Sequence, residues 1–153
     1  MKVLKITQEQ LSRAKKHFDF NVLNNSVTKG AGNLAGALGE ILIMDLYGAE
    51  YIGSIHYDLL IKGKKIDVKT KRQKNKPNPE HNVNIFAIHK YQQCDYYCFV
   101  SVNYEMTKAW LSGWCSKERF YKEAKFYKKG EQDGLKPFNF TNDCYCLKVG
   151  KLD

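Results

Sequence analysis

Asp67 and Lys69, two side chains of opposite charge, are separated by a single residue in an apolar-rich run of the sequence. Residues two apart on a β-strand point to the same face of a sheet, so these charges are expected side by side, while Val68 points to the opposite face, toward the core. Polar groups on a central strand normally reduce stability, so a chemical role is the better explanation for them. The pair favours a metal-dependent hydrolytic site.

The sequence around this pair predicts a β-hairpin. Two apolar-rich runs, near 52–61 and 65–71, are joined by a Lys-Gly-Lys turn. Asp58 belongs to the first run, and the charged pair belongs to the second.

Two helices are predicted before the hairpin. Thr7 and Gln10 have the spacing of a capping box at the start of a helix over 7–18. After a polar, Gly-containing connector over 24–33, apolar residues at helical spacing predict a second helix over 33–47, which Gly48 ends. Glu40 lies within this second helix, next to its apolar face.

The rest of the chain predicts mainly strands. A polar, basic loop over 72–82 leads to strands at 83–88, 95–103 and 107–113, then a helix capped by Ser116 and a last edge strand over 145–149. No repeat or domain boundary is visible in this order. It indicates one domain over residues 1–153, an α/β sandwich on a mixed sheet.

The composition is that of a folded domain. The chain has 153 residues, of which 43% are apolar, and no run has the length of a transmembrane helix or the apolar core of a signal peptide. Its five cysteines form no CxxC pair, which favours reduced, mostly buried thiols. We therefore expect a cytoplasmic protein without a membrane partner, in the host-cell cytoplasm if the protein is viral.

The positive charge is concentrated next to the Asp67/Lys69 pair. Lys and Arg number 25 against 16 acidic residues, a formal net charge of +9. The segment 62–76 holds eight basic residues and one acid, a local excess of +7. Such a concentration indicates a polyanion partner, most simply nucleic acid. A solvated, lysine-rich loop that only aids solubility remains the alternative.

Glu40 on a helix, Asp58 at the entry to a hairpin, and Asp67-x-Lys69 on the return strand together resemble the PD-(D/E)xK nuclease superfamily. The resemblance covers roughly residues 32–102, and Tyr57 stands where the motif has proline. It implies the restriction-endonuclease-like fold, an α/β/α sandwich with a central mixed β-sheet. This superfamily includes phage nucleases and Holliday junction resolvases.

The resemblance also implies a role for each residue. Asp58 and Asp67 would bind Mg²⁺ or Mn²⁺ directly, helped by the backbone carbonyl of Val68, since hard cations prefer oxygen ligands. Glu40 would bind a second metal ion or a metal-bound water. Lys69 would orient the attacking water or offset developing negative charge. The catalytic set would be Glu40, Asp58, Asp67 and Lys69.

The remaining candidates are expected to contact nucleic acid. Four of them, Lys71, Arg72, Lys74 and Lys76, follow the charged pair along the chain, and two more, Lys29 and Asn33, belong to the Gly-containing entry of the second helix. The expected function is Mg²⁺-dependent endonucleolytic cleavage of DNA in phage or mobile-element DNA processing. A homodimer is left open.

Several alternatives remain at this point. Asp67 and Lys69 would also suit an exposed surface pair, Asp58 a turn cap, and Glu40 a solvated helix position. A non-catalytic nucleic-acid-binding protein on a degenerate nuclease fold belongs to a different functional class. An RNA-cleaving enzyme and a structure-specific junction resolvase remain within the enzyme class.

Overall fold

A strand over Lys64–Arg72 carries the Asp67/Lys69 pair in the interior of a six-stranded sheet. The computed structural model describes residues 1–24, 32–133 and 139–153, without the side chains of 18–24, 32 and 33. The described strands are β1 (Lys2–Lys5), β2 (Glu50–Tyr51), β3 (Leu59–Ile61), β4 (Lys64–Arg72), β5 (Asn82–Phe86), β6 (Tyr96–Val102), β7 (Lys108–Ser116), β8 (Lys125–Tyr127) and β9 (Cys144–Lys148). The α-helices are α1 (Gln8–Asn24), α2 (Gly32–Tyr47) and α3 (Lys117–Glu123), and 3₁₀ helices cover Ala87–Tyr91 and Val149–Lys151.

The larger sheet is mixed. Its strand order is β1-β7-β6-β4-β3-β2, in which β4 and β6 run parallel and the other neighbours run antiparallel. Parallel neighbours need a long crossover, and here β5 and the 3₁₀ helix Ala87–Tyr91 lie within it. The fold is therefore mixed α/β, with the predicted second helix, hairpin and buried strand confirmed.

A second, three-stranded sheet has the order β5-β9-β8. The last strand, predicted to lie at an edge, is instead its central strand, because β5 and β8 come from earlier in the chain and pair on either side of it. The sequence analysis predicted a single sheet and missed this second one, because the strands that pair in it are distant from one another in the sequence.

The large sheet is covered on both faces. On one face α2 packs against β4 and β6 through Leu38, Ile43, Val68 and Val100. On the other face a second cluster joins the large sheet to the small one and to α3, and its members include Ile85, Tyr97, Phe99, Phe120 and Leu147. Burial on both faces explains why the sequence of β6 is almost continuously apolar.

Gly39 sets the distance between α2 and β4. A Cβ atom at this position would lie 2.0 Å from Thr70 Oγ1, closer than any real contact. The helix can therefore approach the strand closely only because residue 39 has no side chain. Glu40, the next residue, is carried toward the sheet by this close approach.

The first predicted strand, over 52–61, differs from the structure. It is divided into β2 and β3, and the segment between them turns at Gly53 (φ +61°) and at Ser54, whose Oγ accepts from the Tyr57 N–H at 3.1 Å. Asp58 is the last residue before β3. The interruption thus places its carboxylate at the end of a strand rather than within one.

The chain ends differ less from expectation. The capping box is confirmed, since Thr7 and Gln10 exchange two hydrogen bonds of 3.1 Å, but the helix extends to Asn24 rather than 18. The connector predicted over 24–33 lies largely outside the described residues.

All five cysteines are free and buried, as predicted. Among the described residues, no helix has the length and apolarity needed to cross a membrane.

Candidate active site

Asp67 and Lys69 form an ion pair on β4. Lys69 Nζ lies 2.6 Å from Asp67 Oδ2, and the two side chains are 23% and 4% exposed. Both project from the face opposite Val68, which packs against the helices. A nearly buried carboxylate with one ammonium partner is thus fixed at this position, and an exposed surface pair is not what the structure shows.

Asp58 closes the end of the hairpin. Its Oδ2 accepts a 2.7 Å hydrogen bond from the Val68 N–H. β3 pairs with only the first three residues of β4, and one further step of that register sets Asp58 opposite Asp67. Because the N–H and C=O of a strand residue point to the same side, the Val68 carbonyl is also directed toward this end of the hairpin.

Glu40 approaches the site from α2. Its Oε2 lies 3.4 Å from His17 Nε2, and His17 Nε2 is also 2.8 Å from the Tyr51 hydroxyl. These residues line a small cavity of about 230 Å³ together with Arg13, Ile41 and Met44. Asp58 interacts electrostatically with both Glu40 of α2 and Asp67 of β4.

The pKa of Asp58 is raised well above its ordinary value. Burial is the largest cause, and the negative charges of Glu40 and Asp67 add to it. The Val68 N–H and Lys69 act in the opposite direction without cancelling the increase. The raised pKa therefore marks Asp58 as a buried carboxyl group near two further carboxyl groups.

Gln92 is a part of the site that the sequence did not reveal. It follows the 3₁₀ helix of the crossover, is buried, and donates from Nε2 to Asp67 Oδ1 at 2.8 Å. Lys117 Nζ donates in turn to the backbone carbonyl of Gln92. Gln92 lies 25 residues from Asp67, and no local sequence pattern connects the two.

His89, in the same crossover, is a second residue near the charged pair. Burial and the positive charge of Lys69 lower its pKa, although Asp67 acts in the opposite direction. This histidine has no metal-ligand spacing in the sequence. Its place beside Lys69 depends on the crossover that returns the chain from β4 to β6.

The donor set fits a hard divalent cation. Three carboxylates and the Val68 carbonyl offer oxygen, which Mg²⁺ and Mn²⁺ prefer. Gln92 Oε1, next to Asp67, is buried and has no hydrogen-bond partner among the described residues, as expected where a water or ion belongs. Within the described ranges, however, no three His, Cys, Asp or Glu side chains are close enough to hold an ion as they stand. Lys69 and Gln92 occupy the two Asp67 oxygens, so at least one must move to admit a cation.

The candidate nucleic-acid contacts on and after β4 lie in different environments. Lys71, Lys74 and Lys76 are exposed, and Lys71 lies two residues beyond Lys69 on the same face of β4. Arg72 differs from the prediction of a solvated loop residue. It ends β4, its Nη2 donates to the Tyr104 carbonyl at 3.2 Å, and its guanidinium lies 5.3 Å from the Tyr104 ring.

The helix-entry candidates are only partly visible. Lys29 lies outside the described residues, and Asn33 is described in its backbone alone, within the first turn of α2. Their predicted contact with nucleic acid therefore remains a prediction.

Comparison with known proteins adds no assignment to this geometry. No protein-family model matches the sequence. A search of curated proteins also finds no sequence that matches it.

Proposed function

We propose that this chain is a metal-dependent deoxyribonuclease with a restriction-endonuclease-like fold of the PD-(D/E)xK type. The observation that carries the proposal is the position of Asp58 at the end of the hairpin, hydrogen-bonded to the Val68 N–H and next to the buried Asp67–Lys69 ion pair. The order of helix, hairpin, crossover and parallel strand around these residues supports it. A chance surface cluster would not leave Asp67 nearly buried.

Each residue has a distinct role in this proposal. Asp58, Asp67 and the Val68 carbonyl would hold a Mg²⁺ or Mn²⁺ ion, and Glu40 would hold a second ion or a water. Such an ion supplies a nucleophilic water at neutral pH and stabilises charge on the phosphate. Lys69, once released from Asp67, would orient that water and offset the negative charge that develops in the transition state.

The positive charge supports a DNA substrate. Lys71, Lys74 and Lys76 follow Lys69 in the sequence and are exposed, and lysines of this kind neutralise phosphates without reading sequence. The proposed reaction is therefore hydrolysis of a DNA phosphodiester within reach of β4. The setting would be phage or mobile-element DNA processing.

A direct assay tests the proposal. The protein is incubated with Mg²⁺ or Mn²⁺ and labelled single-stranded, duplex, flapped and four-way-junction DNA, and with RNA. Asp67→Asn should abolish cleavage and leave DNA binding intact or tighter, because it removes a negative charge from a site that meets phosphates. Glu118→Gln, an equal change of charge at an exposed position of α3, should behave like the wild type. Absence of cleavage on all substrates with either ion would overturn the proposal.

A non-catalytic nucleic-acid-binding protein is the second candidate. It is favoured by the occupation of both Asp67 oxygens by Lys69 and Gln92, which also describes a site held closed. That candidate requires salt-dependent DNA binding with no cleavage. It also requires that added Mg²⁺ leave the DNA affinity of the Asp67→Asn variant unchanged.

A further inference from the structure

A cavity lined in part by Lys69 lies on the face of β4 that carries the charged pair. It has a volume of about 450 Å³ and lies between the Lys69 face of the large sheet and strand β5. This volume is within the range of about 300–1,000 Å³ that is typical of small-molecule sites. The cavity is separate from the smaller one beside Glu40.

The floor and the wall of this cavity have different chemistry. Lys69, Lys71, Phe99 and Ser101 lie side by side on the floor, since Lys69 pairs with Phe99 and Lys71 with Ser101 in the β4–β6 register. The wall is β5, all of whose residues line the cavity. Among the described strands, β5 pairs with β9 along one edge and has no neighbour along the other, so the peptide donors and acceptors of that outer edge adjoin the cavity.

The charges of the lining are of one sign. The described residues around the cavity include no carboxylate, and its ionisable members are Lys69, Lys71, Arg72, His81 and His89. Toward the hairpin, Lys69 Nζ lies 2.6 Å from Asp67 Oδ2, and Asp58 follows opposite Asp67. A ligand that lies across Lys69 would therefore place a negative group beside the basic lining and cations beside the carboxylates.

We infer that this cavity holds one unpaired nucleotide of the substrate strand, next to the phosphodiester that is cleaved. The inference rests on the proposed nuclease function. Phe86, which lines the cavity and is 43% exposed, suits the face of a base. The outer edge of β5 suits the hydrogen-bonding edge of that base, and Lys71 suits the adjoining phosphate.

This assignment names a substrate class. A base inside an uninterrupted duplex is stacked on both faces and paired at its edge, so it cannot enter a cavity between two sheets without leaving the helix. The preferred substrates are therefore DNA strands with an unpaired nucleotide at the cleavage point. Single strands, flaps and junctions belong to this class, and fully paired duplex does not.

An abasic substitution tests the assignment. The cleavage site is first mapped on a single-stranded DNA oligonucleotide, and the base on either side of the cleaved bond is then removed in turn. Removal on one side only should lower kcat/KM by about tenfold, the effect expected when the contacts of one base are lost. Ser101→Met, which extends an apolar side chain from the cavity floor, should cut intact and abasic strands at the same low rate. Equal cleavage of intact and abasic strands by the wild type would overturn the inference and leave the nuclease proposal standing.

A second measurement follows binding alone and needs no variant. The adenine analogue 2-aminopurine is placed at each position around the mapped bond, and binding is followed with Ca²⁺ in place of Mg²⁺. Its fluorescence should change at one flanking position only, since that base alone leaves the stack of its neighbours. If no cleavage occurs on any strand, the same scan is made along the whole oligonucleotide bound without metal. A uniform signal at all positions would contradict the cavity assignment, whatever the outcome of the nuclease assay.

Discussion

The Val68 N–H donates to Asp58 Oδ2 at 2.7 Å, across the end of the β3–β4 hairpin. A side chain here takes the position of a backbone acceptor, because β3 no longer pairs with β4 beyond Ile66. One residue thus ends the ladder and adds a carboxylate to the site. The stability of this end of the sheet and the charge of the site are linked through Asp58.

Asp58→Asn should stabilise the metal-free protein at neutral pH. The folded-state pKa of Asp58 is raised above its ordinary value of 3.8, so the folded protein retains a proton that the unfolded chain releases. The contribution of Asp58 to the free energy of unfolding is therefore complete below about pH 4 and is lost as the pH rises through the raised pKa. Asparagine can still accept from Val68 and carries no charge.

The measurement is denaturant unfolding in the presence of a chelator between pH 4 and 8. The curves of wild type and variant should approach each other at the acid end and separate as the pH rises. Glu118→Gln, at an exposed position of α3, provides the control for a general change of charge. A variant that is less stable than the wild type at pH 8 would contradict the assigned direction of the pKa shift.

Gln92→Ala should weaken metal binding through Asp67. Without the Gln92 amide, the nearly buried Asp67 loses a donor and its orientation, and loss of a partner that orients a ligand typically reduces metal affinity about 10- to 100-fold. Unfolding should also become easier by about 1–3 kcal/mol, the cost of an unsatisfied buried acceptor. A Mn²⁺ titration of the cleavage rate and thermal unfolding measure the two effects.

The matched control is Gln93→Ala, since Gln93 is the exposed neighbour of Gln92. It should alter neither the Mn²⁺ dependence nor the unfolding temperature. Equal behaviour of the two variants would show that the Gln92 contact does not orient Asp67.

Gly39→Ala and Gly36→Ala should have effects of opposite sign. A Cβ atom at residue 39 would lie 2.0 Å from Thr70 Oγ1, whereas one at residue 36 meets nothing within 4 Å. Overpacking of this kind costs about 1–3 kcal/mol. At residue 36, alanine should instead add up to about 1 kcal/mol of stability, because it is the better helix former.

Thr70→Ala should restore part of the stability lost in Gly39→Ala, since it removes the atom in closest contact. The free energies of unfolding of the two single variants and the double variant measure the coupling. Additive losses would mean that the helix and strand adjust independently of this contact. The cleavage rate of the Gly39→Ala variant, measured at a temperature where the variant is folded, reports on the position of Glu40.

Replacement of Lys71, Lys74 and Lys76 by alanine should weaken DNA binding equally on all sequences. Each phosphate contact contributes roughly 0.9 to the slope of log affinity against log salt on duplex DNA, so the slope should fall by up to about three units. Arg72 is excluded from this set because its contacts with Tyr104 give it a structural role. Binding titrations in Ca²⁺ at several salt concentrations measure the slope.

A second triple variant controls for net charge. Lys2, Lys5 and Lys108 are exposed on β1 and β7, at the other end of the large sheet. Their replacement should leave the slope nearly unchanged. The same decrease in both triple variants would mean that DNA responds to total charge and not to the segment beyond β4.

The sequence predicted the elements whose signals are local. The apolar spacing of α2, the alternation in β4 and the apolar run of β6 each depend on neighbours in the chain, and these elements were placed within a few residues. β1 was missed because only four residues form it and its pairing partner β7 lies a hundred residues away. β9 was assigned to an edge because pairing on both sides is decided by strands distant in sequence.

In the candidate site too, local sequence predicts some residues and not others. The two-residue period of a strand alone was enough to predict that Asp67 and Lys69 lie side by side. Gln92 could not, because it reaches Asp67 through a crossover that no local pattern describes. Arg72 was expected in solvent since its neighbours are lysines, whereas Tyr104, distant in sequence, holds it against the end of the sheet.

The short overlap of β3 with β4 also bears on solubility. Beyond Ile66, the side of β4 that faced β3 has no neighbouring strand in the described part of the chain, and such an edge can pair with the edge of another molecule. Charged side chains are a common protection against this association, and Asp58, Lys69 and Lys71 lie at that edge. The residues proposed for chemistry would therefore also keep the protein monodisperse, and variants that neutralise several of them at once should aggregate more readily than their folding stability alone would indicate.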